Sequence, residues 1–398
     1  MEVTGYHRSA HTVMTTTVES THTAASEAAA GSTAEVAARL AQEFSVRGCG
    51  VPPTQGSPSD ADSREAYAAY GRAGLIGLHW PTRFGGGGLD PMVTFAVEEQ
   101  MGYQWLPMSS YLLSVKTIGN ALLQYATDDM CAQFIPQIAS GDMIFCQGFS
   151  EPEAGTDLGS LRTTARRDGD RFIVNGRKIW TSSAEHADWV YLAVRTGSPE
   201  SRHRGLSVFL VDITTPGILV DVHQTLGGGT IGELTLTDVA VPADQVVGEI
   251  DGGWQILMGT LDYERVTSEK VGVMLRLLDE LEPLVTDRSG GQTLARLRGD
   301  VHIAREHGRR ATARLAAGAD ASAESSMAKL SIALLMQELA ATAVDLVGPR
   351  ALIESGPGAV LDGKLAAFAR AAVATTIAGG VSDIQRKNIS RRRVGTFS

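Results

Sequence analysis

Cysteine is scarce in this chain: Cys49, Cys131 and Cys146 are the three among 398 residues. They show no metal-ligand spacing. Three such thiols suit a reducing compartment, where they act as small buried apolar groups, so a cytoplasmic location is expected. Basic charge is also in short supply. A net charge of −10 makes nucleic acid a poor partner. Long apolar runs are missing as well. The most apolar stretch, residues 330–347, is interrupted by Gln337, Glu338 and Asp345 and reads as a buried amphipathic helix. The N-terminus has no secretory apolar core. There is no internal repeat, and no phosphate-binding GxGxxG follows a strand.

What is present is an ordinary globular composition, 43% hydrophobic and 20% charged, in a chain long enough for two or three domains. Residues 1–33 are rich in Ser, Thr and Ala and poor in large apolar groups. Such a stretch cannot bury enough surface to offset its ordering entropy, so a loose tail is expected, with Met14 as a second candidate start. Helical spacing then runs through residues 34–142. Val36, Leu40 and Phe44 share one face, and further helices fit residues 62–75, 91–104, 111–125 and 128–139. The period changes to strands over 143–250, with short apolar runs bounded by Gly and Pro at 191–194, 206–211 and 233–236. Helical spacing returns over 251–398, with long helices expected at 254–282, 291–317 and 324–347 and a last one after Val381. This order predicts an α+β protein: an all-α N-terminal domain, a central β-barrel or sandwich, and a C-terminal four-helix bundle.

Residues 145–181 carry the chemistry. Ser150 to Asp157 read SEPEAGTD, where Pro152 and Gly155 make a loop whose backbone and hydroxyls suit a phosphate or a heterocycle edge. Residues 171–180 read RFIVNGRKIW, and the Asn175-Gly176 pair predicts a hairpin turn. It delivers Trp180 and then hydroxyl residues, a pattern suited to a flat ring system.

These stretches resemble the acyl-CoA dehydrogenase flavoproteins, whose patterns are T-E-P-x-A-G-S-D and N-G-x-K-x-W-I-T. The Trp80-Pro81 segment with Gly85 to Gly88 is similar to that family's W-P-x-x-Y-G-G-x-G, here a tight connection between helices. The resemblance covers nearly the whole chain from about residue 35 and implies FAD as cofactor and α,β-desaturation of an acyl thioester. It places Trp180 against the flavin ring, Ser182 at its N5, Gln147, Phe149 and Ser150 along its pyrimidine edge, and Thr156 on the pyrophosphate. Gly348 and Arg370 match later cofactor-proximal segments. The family's R-x-x-F-G arginine, which reaches a neighbouring subunit's cofactor, is missing; Arg288 is a weak substitute, which leaves room for FMN.

The base departs from the common pattern. Many members carry a glutamate in Y-E-G-T-S-x-I-Q-R. Here Ser382, Ile384, Gln385 and Arg386 fix the register and put Gly379, followed by Gly380, where that glutamate would stand. The isovaleryl-CoA dehydrogenase type instead carries its base in L-D-x-E-R, which this chain matches at Leu261-Asp262-Tyr263-Glu264-Arg265. On a continuous helix, Leu257, Leu261, Arg265 and Ser268 share a face with Glu264 at its edge, a partly desolvated setting that strengthens a carboxylate as a base. Glu264 is therefore the expected base, Gly379 contributes its N–H, and Tyr263, Arg265 and Gly380 line the substrate. Asp383 is expected to cap a helix. The expected substrate is an acyl thioester of CoA or acyl carrier protein. The expected electron acceptor is an electron-transferring flavoprotein or oxygen, and the resemblance implies a homotetramer. Two other readings are a flavin monooxygenase on the same fold and a non-catalytic subunit of a paired dehydrogenase. The intact LDYER sequence argues against the first, and the near-complete flavin motifs against the second.

Overall fold

The computed structural model describes residues 33, 35–40, 60–227 and 229–393. Residues 33 and 35–40 are helical; the rest of the expected tail, Phe44, Cys49 and residues 51–59 lie outside the described residues. Helices α1 (Asp60–Arg72), α2 (Pro91–Tyr103), α3 (109–125) and α4 (Asp128–Ala139) come first. Pro91 opens α2 behind Asp90, whose carboxylate accepts the Met92 N–H. The middle of α3, Leu112–Gly119, is π-wound. The glycine run wraps the buried Trp80: a Cβ on Gly86 would sit 2.3 Å from the Trp80 carbonyl oxygen.

Eight strands follow in one mixed sheet: β1 (Phe145–Gly148), β2 (Thr164–Asp168), β3 (Arg171–Thr181), β4 (Trp189–Arg195), β5 (Leu206–Asp212), β6 (Ile218–Gln224), β7 (Thr230–Pro242) and β8 (Val246–Val247). The order is β6-β7-β3-β2-β4-β5-β8, with β1 parallel to β4. The expected hairpin at Asn175-Gly176 is corrected. The β2–β3 turn lies at Gly169, where φ is +65°, and Asn175-Gly176 falls at a bulge of β3 against β7. Gly176 is required there because a Cβ would meet Thr163 Oγ1 at 2.4 Å.

The bundle contains α5 (Gly253–Glu264), α6 (Ser268–Leu281), α7 (Arg288–Ala316), α8 (Ser322–Val347), α9 (Lys364–Ala374) and α10 (Ser382–Arg393). The single helix expected over 254–282 is corrected to two. It breaks after Glu264, where Thr267 leaves helical space at φ −105° and ψ 60°. Arg265 and Ser268 therefore do not continue one helical face. Helix α8 is, by length and composition, apolar enough to cross a membrane. Here it packs against α7, α9 and α10, with Ile332, Met336 and Leu339 in the bundle core.

Helix α2 crosses α6 at two glycines. A Cβ on Gly102 would lie 2.0 Å from the Glu269 carbonyl oxygen, and one on Gly272 1.9 Å from that of Glu99. Beside the crossing, buried Lys116 on α3 donates to Glu98 at 2.7 Å, Glu269 at 2.8 Å and Ser268 at 3.0 Å. The start of α6 is thus fixed to the N-terminal helices. Gly272→Ala forces the crossing apart and is expected to destabilise the protein by about 1–3 kcal/mol or more. Gly291→Ala, which meets nothing within 4 Å, is the control. Thermal unfolding of both variants checks this, and an unchanged melting temperature for Gly272→Ala refutes it.

Candidate active site

Glu264 ends α5, at the elbow before α6. The residue is half-buried, and its Oε2 is out of water with no hydrogen-bond partner. Burial is the largest influence and pushes its carboxyl above the ordinary carboxylate range. Arg265, Lys270, the neighbouring Gln147 side chain and Lys329 oppose that shift. A carboxylate so placed is a stronger proton acceptor than one in water.

Gly379 faces it. Its φ is +66°, and a Cβ built on it would lie 3.2 Å from Glu264 Oε1. The Glu264 carboxylate therefore reaches the space where a side chain at 379 would begin. Gly380 follows at φ +94°. Gln385 Nε2 donates to the Gly379 and Gly380 carbonyls at 3.1 and 2.9 Å. Arg265 Nε lies 3.4 Å from the Gly379 oxygen, and its Nη1 pairs with Asp262 at 2.9 Å. Asp262 in turn accepts from Ser322 at 2.9 Å and Ser325 at 3.0 Å, both on α8. Asp383, in the first turn of α10, pairs with Arg386 at 2.8 Å.

A second group of residues gathers at the end of β1. Gln147 lies on that strand, and Phe149 is buried against Tyr191 at 5.9 Å between ring centroids. The Ser150 carbonyl accepts the Ile179 N–H at 2.9 Å. Lys178 is fully buried, donating to Glu151 at 2.8 Å and to the Phe149 carbonyl at 3.1 Å. Burial draws the Lys178 ammonium down to about 8, against the pull of Glu151. Glu151 also accepts the Arg162 and Thr163 N–H groups, so the SEPEAGTD loop is tied to β3 from below. A register shift between Lys178 and Thr181 then turns Trp180 outward, 67% exposed at φ +58°. Thr156 is exposed and Ser182 half-buried, while Thr181 Oγ1 is buried without a partner.

A bare indole in a strained backbone position, followed in the chain by the orphan Thr181 hydroxyl and by half-buried Ser182, fits the edge and face of a flavin. Gln147 joins the two groups, since its side chain is also a neighbour of Glu264. Tyr263 adjoins Glu264 and lines a cavity of about 90 Å³ with Val266, Glu98 and Lys116. Arg288 is exposed at the start of α7, and Gly348 follows α8 at φ +77°. Among the described residues, no hydrogen bond or ion pair joins either to Glu264. Arg370 instead contacts the Leu226 carbonyl and Glu354. The sequence reading missed Lys178, Glu151 and Lys329. Strand alternation could have found Lys178, which points inward from β3.

Family models described as the acyl-CoA dehydrogenase N-terminal, middle and C-terminal domains match residues 23–142, 146–239 and 251–394. The acyl-CoA dehydrogenase FadE26 of Mycobacterium tuberculosis is 33% identical over 352 residues, covering 83% of this chain and 87% of that protein. IpdE1 of the same organism, also an acyl-CoA dehydrogenase, is 32% identical, covering 90% and 94%. Among solved structures, the Tcur3481-Tcur3483 steroid ACAD superposes with a TM-score of 0.82 at 29% identity, covering 92% of this chain and 98% of that one. The ChsE4-ChsE5 complex of M. tuberculosis, built from two different proteins, gives 0.80 at 29%, covering 94% and 98%.

Gly379→Ala places a methyl against Glu264 and strains the turn. Thioester turnover is expected to fall about 100-fold, as for a small misplacement of a reacting group. Steady-state kinetics beside a melting curve check this; full activity would show that the close approach is irrelevant.

Proposed function

Because the chain belongs to the acyl-CoA dehydrogenase family of FAD-dependent oxidoreductases, we propose that it desaturates an acyl-CoA thioester with Glu264 as the α-proton base. The observation that carries this reading is the approach of Glu264 Oε1 to within 3.2 Å of where a Cβ on Gly379 would stand. The carboxylate at that point comes from α5. Bound FAD supplies the redox chemistry by accepting the hydride that leaves the β-carbon. Gln147, Phe149, Ser150, Thr156, Trp180 and Ser182 are the residues we assign to its flavin and pyrophosphate. Arg288 and Gly348 we assign to a cofactor only through a second subunit.

Glu264 takes the proton while ionised, and the surrounding cations favour that form. The Gly379 N–H is assigned to the thioester oxygen, where it stabilises the charge that develops as the α-carbon loses its proton. Tyr263, Arg265 and Gly380 shape the substrate side. Coenzyme A is favoured as carrier because the relatives above 30% identity are acyl-CoA dehydrogenases by name. An electron-transferring flavoprotein is the proposed electron acceptor. We also assign a homo-oligomer, since Val373 and Ile377 leave bare apolar surface. Native mass spectrometry of this chain expressed alone reads the assembly, and a monomer would end that part.

Anaerobic acyl-CoA is expected to bleach the visible flavin band of the purified protein. Glu264→Gln is expected to slow that bleaching by about 10²–10⁴-fold. A variant that bleaches as fast as the parent rejects Glu264 as base. NAD(P)H-dependent oxygen uptake without bleaching by any thioester would instead support a monooxygenase. The pH profile carries a sign. A base works ionised, so the rate falls as pH drops through the Glu264 pKa, which burial has raised. The acid limb of kcat/KM is therefore expected above the ordinary carboxylate range.

A further inference from the structure

Helix α8 is apolar through most of its length, yet Lys329 lies in it only 5% exposed. Burying an ammonium costs several kcal/mol unless it is fixed by partners. Among the described residues, no ion pair within 4.0 Å involves Lys329. Its Nζ instead donates to the Gly380 carbonyl at 2.6 Å. The Gly379-Gly380 turn is thereby held by side chains from three elements: Lys329 of α8, Gln385 of α10 and Arg265 of the elbow.

This clamp lies against Glu264. A Cβ on Gly379 would have Glu264 Oε1 at 3.2 Å and Lys329 Cε at 4.0 Å. The carboxylate and the lysine stem converge on one point without a direct bond between them. The charged groups acting on Lys329 are Lys270 of α6, Arg265 of the elbow and Glu264 of α5. Burial and the two cations draw its ammonium down to about 8, while Glu264 acts in the other direction.

We propose that Lys329 is a positioning residue for Glu264: it fixes the double-glycine turn and adds its positive charge to those of Arg265 and Lys270, which together favour the ionised carboxylate. The proposal rests on Glu264 being the base. A direct salt bridge would occupy the oxygen that must take the proton. A cation anchored instead on the Gly380 carbonyl favours the charged form and leaves that oxygen free. The function of Lys329 is then electrostatic as well as structural, and the two parts separate by substitution. Arginine keeps the charge and a donor, glutamine keeps a donor without charge, and methionine keeps neither.

The test follows exchange of acyl-CoA α-protons into D₂O against pH under argon. It uses holoenzyme of the parent and of Lys329→Arg, Lys329→Gln and Lys329→Met, with kcat/KM profiles alongside. Exchange reads the base itself, without net oxidation. The acid limb is expected to move up by roughly one pH unit in the Gln and Met variants and to stay in place in the Arg variant. Rates at the plateau are expected to fall more in Met than in Gln, because only Met leaves the Gly380 carbonyl without this donor. An acid limb that stays in place in Gln and Met overturns the proposal. Should Met fail to fold, the Gln and Arg pair decides. Glu264→Gln is run in parallel: if it still exchanges α-protons at the parent rate, the base assignment has failed rather than the role of Lys329.

Discussion

A carboxylate oxygen kept from water, with no hydrogen-bond partner, is the constraint on which this structure depends. Leaving Glu264 Oε2 in that state is unfavourable, and ordinary protein cores avoid it. The fold tolerates it because the elbow that carries Glu264 is pinned on both sides. On the α5 side, Asp262 holds Arg265 and is itself held by Ser322 and Ser325. On the α6 side, Ser268 and Glu269 are locked to Lys116 and Glu98, next to a helix crossing that only glycine permits. Neither anchor reaches the orphan oxygen. Both stop the elbow from relaxing in a way that would give that oxygen a partner.

The same device recurs at the other pole of the site. Lys178 is buried in β3, and Glu151 answers it while also collecting two backbone N–H groups. Removing either partner would strand a charge in the interior, so the loop and the strand move as one body. With the strand held from beneath, the register shift next to it has one outlet, which is to turn Trp180 into the open. Strand β1 links the poles: Gln147 is a neighbour of Glu264, and the Phe149 carbonyl sits on Lys178. Buried polar contacts thus tie β1, whose Gln147 neighbours Glu264, to the strand that carries the exposed indole.

The α-β-α order was legible because periodicity changes sharply near residues 143 and 251, and helices such as Asp128–Ala139 were legible because their caps and breakers are local. What failed needed long-range information. Asn175-Gly176 has the chemistry of a tight turn, but Thr163 approaching across the sheet makes it a bulge instead. Residues 254–282 have helical spacing throughout, and only the docking of Ser268 and Glu269 on Lys116 explains a break there. Strand β6 was missed because residues 218–224 are mostly exposed and show little apolar alternation. Helix α9 was also missed, although Leu365, Phe368 and Ala372 lie on its buried face. For the site, Glu264 and Gly379 could be singled out from motif and register. Lys329 could not, since a lone lysine in an apolar helix reads as a solvated edge until its donor bond to Gly380 is seen.

The proposed exchange of base between positions 379 and 264 has a geometric reason. A side chain at 379 and the side chain at 264 compete for one volume, because the first atom of the former would touch the last atom of the latter. A chain with carboxylates at both places would hold two like charges in contact in a poorly solvated pocket, and one of them would have to stay protonated. Such a pair shares a single proton-accepting function and gains nothing from the second group. The favourable arrangements are therefore a carboxylate at one position and a small residue at the other. Glycine at 379 does more than make room. Its φ of +66° lets the turn present its carbonyl to Gln385 and Arg265, a conformation that a β-carbon would oppose. The absent side chain at 379 and the carboxylate at 264 are one structural arrangement seen from two ends.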